Sequence, residues 1–237
     1  MRMELRSRVI SIAGAKGSPG CSVLAIALSR CFVASGIPTL LVDADAEGGG
    51  LAALLDVQPL GQSGVIDRSA TDLYGTQIEA LLWFAELGRG ASDDWNGLEL
   101  AAAARARYPG VVIDLGHSSM PLQRQLSASS DWLLWVVVPD RSGLERADRA
   151  LASGELKAAG AGLVLNRIGM RCLDRADEVL SSRHGMPVMA RIKDDRRLPE
   201  RLLGKQPARH AWGVQRTLRD LARSVHPDVG SVAPAWP

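Results

Sequence analysis

Short apolar runs alternate with segments of helical spacing along this chain. The first run, Arg8–Ala13, is rich in β-branched residues and is followed at once by a glycine-containing loop. After Ser22, apolar residues recur every three or four positions until Gly36 and Pro38, which are typical of a helix end. Thr39–Asp43 is a second apolar run. We therefore predict a strand–helix–strand unit whose strands are covered on both faces, as in a parallel sheet.

The same alternation continues to the end of the chain. Further apolar runs predict strands at 110–114, 132–139, 162–166 and 187–192. Helical spacing predicts helices at 144–156, 198–203 and 212–225, and also around 78–87. This order predicts an α/β fold: a doubly wound, mostly parallel sheet with helices on both faces. We expect a single domain over residues 1–226 and a flexible tail over 227–237, which contains three prolines.

Composition narrows the class of protein. The 237 residues are 46% hydrophobic and 23% charged, a balance that argues against disorder. No apolar run approaches the roughly 20 residues that span a bilayer. Cys21, Cys31 and Cys172 are odd in number and lack CxxC spacing, which argues against a disulfide framework or a cysteine-built zinc site. We expect a cytoplasmic protein.

Positive charge is concentrated late in the chain. Residues 165–237 carry 14 Lys and Arg against 8 Asp and Glu, although the whole chain has a net charge of only +2. Four arginines fall close together, at Arg196, Arg197, Arg201 and Arg209. Such a group suits the phosphates of a nucleic acid, but a solvated face is the commoner explanation.

The segment 212–225 carries a second arginine pattern. Arg216, Arg219 and Arg223 form one stripe of the predicted helix, and apolar residues form the other. A basic amphipathic helix of this kind either docks on a membrane surface or packs on the sheet as a closing helix.

The glycine-containing loop after the first strand is a candidate anion site. A strand-to-helix loop of this kind directs backbone N–H groups and a helix N-terminus at a phosphate. The loop meets the pattern GxxxxGK(S/T) only in part: Gly20 is its last glycine and Ser22 its hydroxyl residue, but Cys21 stands where the lysine belongs. Pro19 removes one backbone N–H. A thiol at a helix N-terminus is either redox-active or a small neutral filler.

Polar residues end three of the other predicted strands. Asp43 ends the second strand and Asp45 follows it, Asp114 ends the strand at 110–114, and Asn166 ends the strand at 162–166. An isolated carboxylate after an apolar strand requires a cation or a helix N-terminus nearby. Asp and Asn also favour turns, so a structural role stays open for Asp43, Asp45 and Asn166.

In order and spacing, these motifs resemble those of the ParA/MinD family of P-loop ATPases, a SIMIBI-like class of P-loop NTPase. The segment 16–22 is similar to the deviant Walker A loop KGGxGK(S/T), and 42–50 is similar to the first switch. The segment 111–116 looks like the Walker B strand and second switch. The segment 192–207 is similar to a family segment that begins with Ile-Pro and an acidic pair. The resemblance covers nearly the whole chain.

The resemblance implies ATP and Mg²⁺ as cofactors and assigns roles to single residues. Lys16 would reach the nucleotide of a partner subunit, and Asp45 would orient the attacking water. Ser22 and Asp114 would hold the metal. Asn166 would read the adenine. The implied nucleotide-binding residues are Gly17, Ser18, Gly20, Cys21, Ser22 and Asn166.

The function implied by the resemblance is a nucleotide-dependent homodimerisation switch with slow ATP hydrolysis. It would act in spatial positioning: chromosome partitioning, cell division-site placement, or a secretion or pilus machine. An unidentified protein partner is implied, and non-specific DNA or a membrane stays open as a further surface. The alternative is a pseudo-ATPase scaffold that recruits partners without hydrolysis, which Cys21 and Pro19 favour. A metabolic relative that phosphorylates a small substrate is a third reading.

Overall fold

The computed structural model describes residues 5–15, 19–45, 50–57, 75–87, 96–117, 119–169, 176–195 and 212–230. The strands are β1 (Arg8–Gly14), β2 (Thr39–Asp43), β3 (Thr76–Glu79), β4 (Leu82–Glu86), β5 (Gly110–Asp114), β6 (Trp132–Val137), β7 (Gly160–Ile168) and β8 (Val188–Lys193). The helices are α1 (Cys21–Ala34), α2 (Leu51–Leu55), α3 (Gly97–Arg107), α4 (Pro121–Ala128), α5 (Arg141–Ser153), α6 (Ala176–His184) and α7 (Trp212–Val225).

The strands form one sheet in the order β3-β4-β2-β5-β1-β6-β7-β8. Every pair is parallel except β3–β4, which is antiparallel. This confirms the predicted doubly wound, mostly parallel sheet. Successive residues of the central strands face opposite sides, so the apolar runs supply two separate cores. Leu100, Leu126 and Leu151 cover one face from α3, α4 and α5, whereas Leu28 and Leu221 cover the other from α1 and α7.

The helix predicted around 78–87 is wrong. The segment is a tight antiparallel hairpin of β3 and β4, and Leu81 in its turn has a φ of 62°. Leu82 and Phe84 alternate along β4 and are both fully buried on the face that α1 covers. The apolar spacing that suggests a helix also fits a strand whose second face is partly covered.

The C-terminal helix packs on the sheet. Leu218, Leu221, Ala222 and Val225 of α7 are buried in the core shared with α1 and β8. The arginine stripe is on the outside, and the side chain of Arg216 is 86% exposed. This arrangement confirms the closing-helix interpretation, because the apolar face of α7 is already covered by protein. Within the described residues, no helix is both long and apolar enough to cross a bilayer.

Some predicted features lie outside the described residues. They are the helix at 198–203, the arginine group at 196–209, Cys172 and the loop residues 16–18. The first part of the predicted tail, 227–230, is described: it forms a turn in which Val229 is buried against the core shared with α7.

Opposite charges pair at the edge of the sheet where the parallel strands begin. Asp131 accepts hydrogen bonds from the Val9 N–H at 2.7 Å, from Arg8 at 3.0 Å and from Arg105 at 2.9 Å. Burial raises the pKa of Asp131, but the Val9 N–H and the Arg105 guanidinium outweigh it and hold that pKa below its usual value. This cluster connects β1, α3 and the start of β6.

Candidate functional site

The candidate site lies at the C-terminal ends of the parallel strands, where β1, β2, β5 and β7 end. In open parallel sheets, ligands bind beyond the carboxyl ends of the strands, at the point where the connections change direction. Here β1 is that point, since it lies between β5 and β6. The first loop leaves β1 and enters α1 at this position.

The described part of the loop is tightly packed. A Cβ atom on Gly14 would lie only 2.4 Å from Cγ of Pro19, so the proline ring rests directly on the end of β1. Gly20 has a φ of 104° and forms the N-cap of α1. It has no side chain to accept the first N–H groups of the helix, and the first turn of α1 contains no acidic residue. The N-terminus of α1 thus keeps the polarity that favours an anion.

Three carboxylates lie side by side on neighbouring strands. Asp43 on β2 is in register with Asp114 on β5 and with Glu86 on β4. Directly opposed like charges destabilise a sheet. Asp43 and Asp114 are each 1% exposed, and none of the described residues hydrogen-bonds to Oδ2 of Asp43. These residues are electrostatically unfavourable as they stand, and a cation at this edge would relieve the repulsion.

Burial raises the pKa of both buried aspartates. The pKa of Asp43 is raised to about 7, by burial first and then by Asp114, Glu86 and Asp45, against a hydrogen bond from the Asp45 N–H. The pKa of Asp114 is raised to about 6 by burial, with a smaller contribution from Asp45. Hydrogen bonds from the Ser22 hydroxyl and the Gly116 N–H oppose that rise.

Ser22 and Asp114 lie together beside the N-terminus of α1. Ser22 is in the first turn of α1, and its hydroxyl hydrogen-bonds to the Asp114 carboxylate at the end of β5. A hydroxyl and a carboxylate are hard oxygen donors of the kind that Mg²⁺ takes together with water and phosphate oxygens. The described residues therefore fit Mg²⁺ in their donor chemistry. Across the described ranges, no three His, Cys, Asp or Glu side chains converge as a metal-ligand set made of protein alone.

Asp45 lies against Gly116. A Cβ atom on Gly116, whose φ is 64°, would fall 2.3 Å from Cγ of Asp45. The Asp45 N–H donates to Asp43 at 3.2 Å, and the Gly116 N–H donates to Asp114 at 3.1 Å. The segments that follow β2 and β5 are thus in direct contact, and the absence of a side chain at residue 116 makes that contact possible.

The Cys21 side chain is a buried neutral group. It is 5% exposed, and its pKa is raised well above the usual value by burial and then by Asp114 and Asp45. A reactive thiol requires the opposite shift. The structure therefore favours the filler interpretation of Cys21.

Asn166 lies beside the loop. Its Nδ2 donates to the Pro19 carbonyl oxygen at 2.7 Å, and a Cβ atom on Gly20 would be 2.4 Å from that nitrogen. The structure thus brings together Gly20, Cys21, Ser22, Asp45, Asp114 and Asn166, as the strand ends predicted. Lys16, Gly17 and Ser18 lie outside the described residues.

Two residues of the site are missed by sequence reasoning. Glu86 extends the row of carboxylates, but its segment is misread as a helix, and the pairing of β4 with β2 is needed to place it. Gln123 on α4 is 2% exposed and donates from Nε2 to the Ala44 carbonyl oxygen at 2.7 Å. It connects α4 to the segment between Asp43 and Asp45. The sequence carries no signal for this contact, since a single Gln in a helix is usually a surface residue.

No protein-family model matches the chain, and no curated protein sequence matches it. Solved structures do. A ParA-family ATPase from Chlorobium tepidum is 22% identical with a TM-score of 0.69, covering 91% of this chain and 98% of its own. The septum site-determining protein MinD of Pyrococcus horikoshii, complexed with Mg-ADP, is 22% identical with a TM-score of 0.70, covering 96% and 99%. A variant of Cyanothece McdA complexed with ATP is 14% identical with a TM-score of 0.69, covering 98% and 99%.

These comparisons define a class of fold. At such low identity they establish the architecture and leave the chemistry to the residues. The chain has the P-loop fold of the ParA and MinD ATPases over nearly its whole length. The family resemblance read from the sequence is confirmed at the level of the fold.

Proposed function

We propose that this chain is a nucleotide-dependent dimerisation switch that binds ATP with Mg²⁺ and acts in spatial positioning within the cell. The observation that carries the proposal is the Ser22–Asp114 contact at the N-terminus of α1. It supplies oxygen donors for a metal next to a helix end that favours phosphate. The ParA/MinD fold supports it, because structures with this fold include complexes with Mg-ADP and ATP.

The row of carboxylates explains why nucleotide binding would require two positive charges, one from Mg²⁺ and one from Lys16. Asp114 and Asp45 raise the pKa of Asp43, and Asp45 raises that of Asp114, so negative charge is already concentrated at this edge before a triphosphate arrives. Mg²⁺, when bound, supplies charge neutralisation between the phosphates and these carboxylates. Ser22 and Asp114 position it. Lys16 supplies the second positive charge, in place of the lysine that Cys21 replaces.

Asp45 is the residue we assign to hydrolysis. Its carboxylate is fixed against Gly116 at the end of β5, close to the proposed metal ligand Asp114. A carboxylate held there accepts a hydrogen bond from a water and aligns it for attack on a terminal phosphate. Gly17, Ser18, Gly20 and Cys21 bind the phosphates through their backbone N–H groups. We expect slow turnover, because the loop lacks the usual lysine.

A specific observation favours the second candidate, a pseudo-ATPase scaffold. The Cys21 thiol is neutral and buried, and Pro19 presents a ring and no N–H to the loop. A missing charge-assisted contact costs roughly 1.5–3 kcal/mol, or about tenfold to a hundredfold in affinity. A scaffold would keep the dimer surface and recruit a protein partner without nucleotide turnover.

The two candidates are separated by titrating ATP with Mg²⁺ into the wild type and into Lys16→Ala, Asp114→Asn and Lys157→Ala. Lys157 is an exposed lysine and serves as the matched control. The switch predicts ATP binding below about 1 mM and a nucleotide-dependent dimer in sedimentation, with the dimer lost in Lys16→Ala and Mg²⁺-dependent binding lost in Asp114→Asn. Lys157→Ala should behave as the wild type. No binding at millimolar ATP rejects the switch and leaves the scaffold.

A gain-of-function variant tests the loop itself. Cys21→Lys restores the residue expected at that position, and in the switch it should tighten ATP binding and increase hydrolysis. If binding and turnover stay unchanged, the remaining loop does not hold a triphosphate in the assumed geometry.

A further inference from the structure

The contact between Asn166 and Pro19 joins two distant parts of the chain. Asn166 is near the end of β7, and its Nδ2 donates to the Pro19 carbonyl oxygen at 2.7 Å. Pro19 immediately precedes Gly20, the N-cap of α1. The Leu24 N–H donates back to the Gly20 carbonyl at 3.0 Å. The side chain of Asn166 therefore fixes the peptide unit from which α1 begins.

The backbone of β7 is distorted at this residue. The pairing of β7 with β8 shifts in register between Leu165 and Ile168, and Arg167 has a φ of 57°. A positive φ is costly for a residue with a side chain, and bulges near functional sites redirect a neighbouring side chain. The distortion allows Asn166 to leave the regular ladder and reach the loop.

Pro19 is held from its other side as well. Its ring lies on Gly14, where a Cβ atom would be 2.4 Å from Cγ of Pro19. Gly20 lies so close to Asn166 that a Cβ atom there would be 2.4 Å from Nδ2. The Pro19–Gly20 unit is thus confined between the end of β1 and the side chain of Asn166.

We propose that Asn166 is a positioning residue that holds the Pro19–Gly20 unit of the first loop in the geometry that binds phosphate. Confinement before binding lowers the conformational entropy that a ligand must remove. It offsets part of the affinity lost with the missing lysine. This inference rests on the proposed function for its ligand, a nucleoside triphosphate.

The role is separable from the adenine recognition that the family resemblance implies. An amide has two N–H donors and one carbonyl acceptor. One N–H is used on Pro19, which leaves the second N–H and Oδ1 for a base. A residue that only reads the base affects ATP and not a ligand without a base, whereas a residue that positions the loop affects both.

The test compares Mg-ATP with Mg-tripolyphosphate, which has phosphates and no base, by calorimetric titration. Asn166→Ala removes the hydrogen bond, and Asn166→Leu keeps the approximate shape, carries no charge and cannot donate. Both variants are expected to weaken both ligands by similar factors, about fivefold to tenfold, the usual worth of one such bond. Weakening of ATP with unchanged tripolyphosphate binding would overturn the proposal. Asn96→Ala, which removes the asparagine cap of α3, is the matched control for a general loss of stability.

A second measurement needs no ligand. Hydrogen exchange of the Leu24 N–H reports how firmly Gly20 is held, because that N–H is bonded to the Gly20 carbonyl. Asn166→Ala is expected to speed this exchange about fivefold, and Asn96→Ala to leave it unchanged. Equal exchange in wild type and Asn166→Ala would refute the positioning role. If the wild type binds neither ligand, the proposed function fails, and the exchange measurement alone decides the role of Asn166.

Discussion

Replacing Asp43 with asparagine is expected to stabilise the protein at neutral pH. Asp43 is 1% exposed, its Oδ2 has no hydrogen-bond partner within the described ranges, and carboxylates flank it on both neighbouring strands. Asparagine has nearly the same shape, keeps an acceptor for the Asp45 N–H and carries no charge. The change therefore removes the repulsion without opening a cavity.

The pKa of Asp43 gives the size and the sign of the effect. Folding raises that pKa from 3.8 to about 7, so the folded state retains a proton that the unfolded chain releases. Stability from this group is complete below the unfolded pKa and is lost as the pH rises through the folded pKa. A tenfold change in the acid dissociation constant corresponds to about 1.4 kcal/mol. Once Asp43 is ionised in the folded and the unfolded state, it therefore lowers the free energy of unfolding by at most about 4 kcal/mol.

Urea unfolding at several pH values measures this effect. Asp43→Asn is expected to have a higher free energy of unfolding than the wild type, and this difference should be about 2.5 kcal/mol larger at pH 8 than at pH 5. Asp56→Asn is the matched control, because Asp56 is exposed and the same chemical change should produce no such growth. A gap that stays constant over this range, or that shrinks as the pH rises, would refute the electrostatic interpretation of the carboxylate row.

Three further predictions concern other parts of the fold. Gly116→Ala should destabilise the protein by more than Gly185→Ala. Both glycines have a φ near 60°, a conformation that costs alanine about 1–2 kcal/mol. Only at Gly116 would the added Cβ atom also meet the Asp45 carboxyl. Urea unfolding tests this, and equal losses would contradict the contact. His226 is fully buried and burial lowers its pKa, so the free energy of unfolding falls as the pH drops below about 6.5. The difference in the free energy of unfolding between wild type and His226→Gln should therefore shrink between about pH 7.5 and pH 5. A gap that is constant with pH would show that His226 does not titrate on unfolding. Leu221→Ala on α7 should cost about 2–5 kcal/mol, and a loss below about 1 kcal/mol would mean that α7 is not part of the core.

Much of the sheet is predictable because parallel strands covered on both faces are continuous apolar runs. That signal locates β1, β2, β5, β6, β7 and β8 within one or two residues at each end. The β3–β4 hairpin is missed because a short apolar run fits helix and strand spacing equally well. The choice between them depends on β2, which offers β4 an edge to pair with. Such tertiary information is absent from the local sequence.

The site is partly predictable for the same reason. Polar residues after buried strands mark its edge, and this rule places Asp43, Asp114 and Asn166. The rule does not indicate how the side chains meet. The Asn166–Pro19 bond depends on a bulge and a positive φ at the following residue, and the Gln123–Ala44 bond depends on how α4 packs. Both are consequences of tertiary packing between segments distant in sequence.

The Asp131 cluster gives the domain an unequal distribution of local stability. Two arginines and a backbone N–H bind Asp131 where the parallel strands begin, whereas the Asp43, Glu86 and Asp114 carboxylates lie side by side where the strands end. Local unfolding should therefore begin at the C-terminal ends of the parallel strands. Their N-terminal ends should open only when the whole domain unfolds. Local fluctuations and ligand binding would then both occur where the parallel strands end, while the part of the domain where the strands begin stays folded.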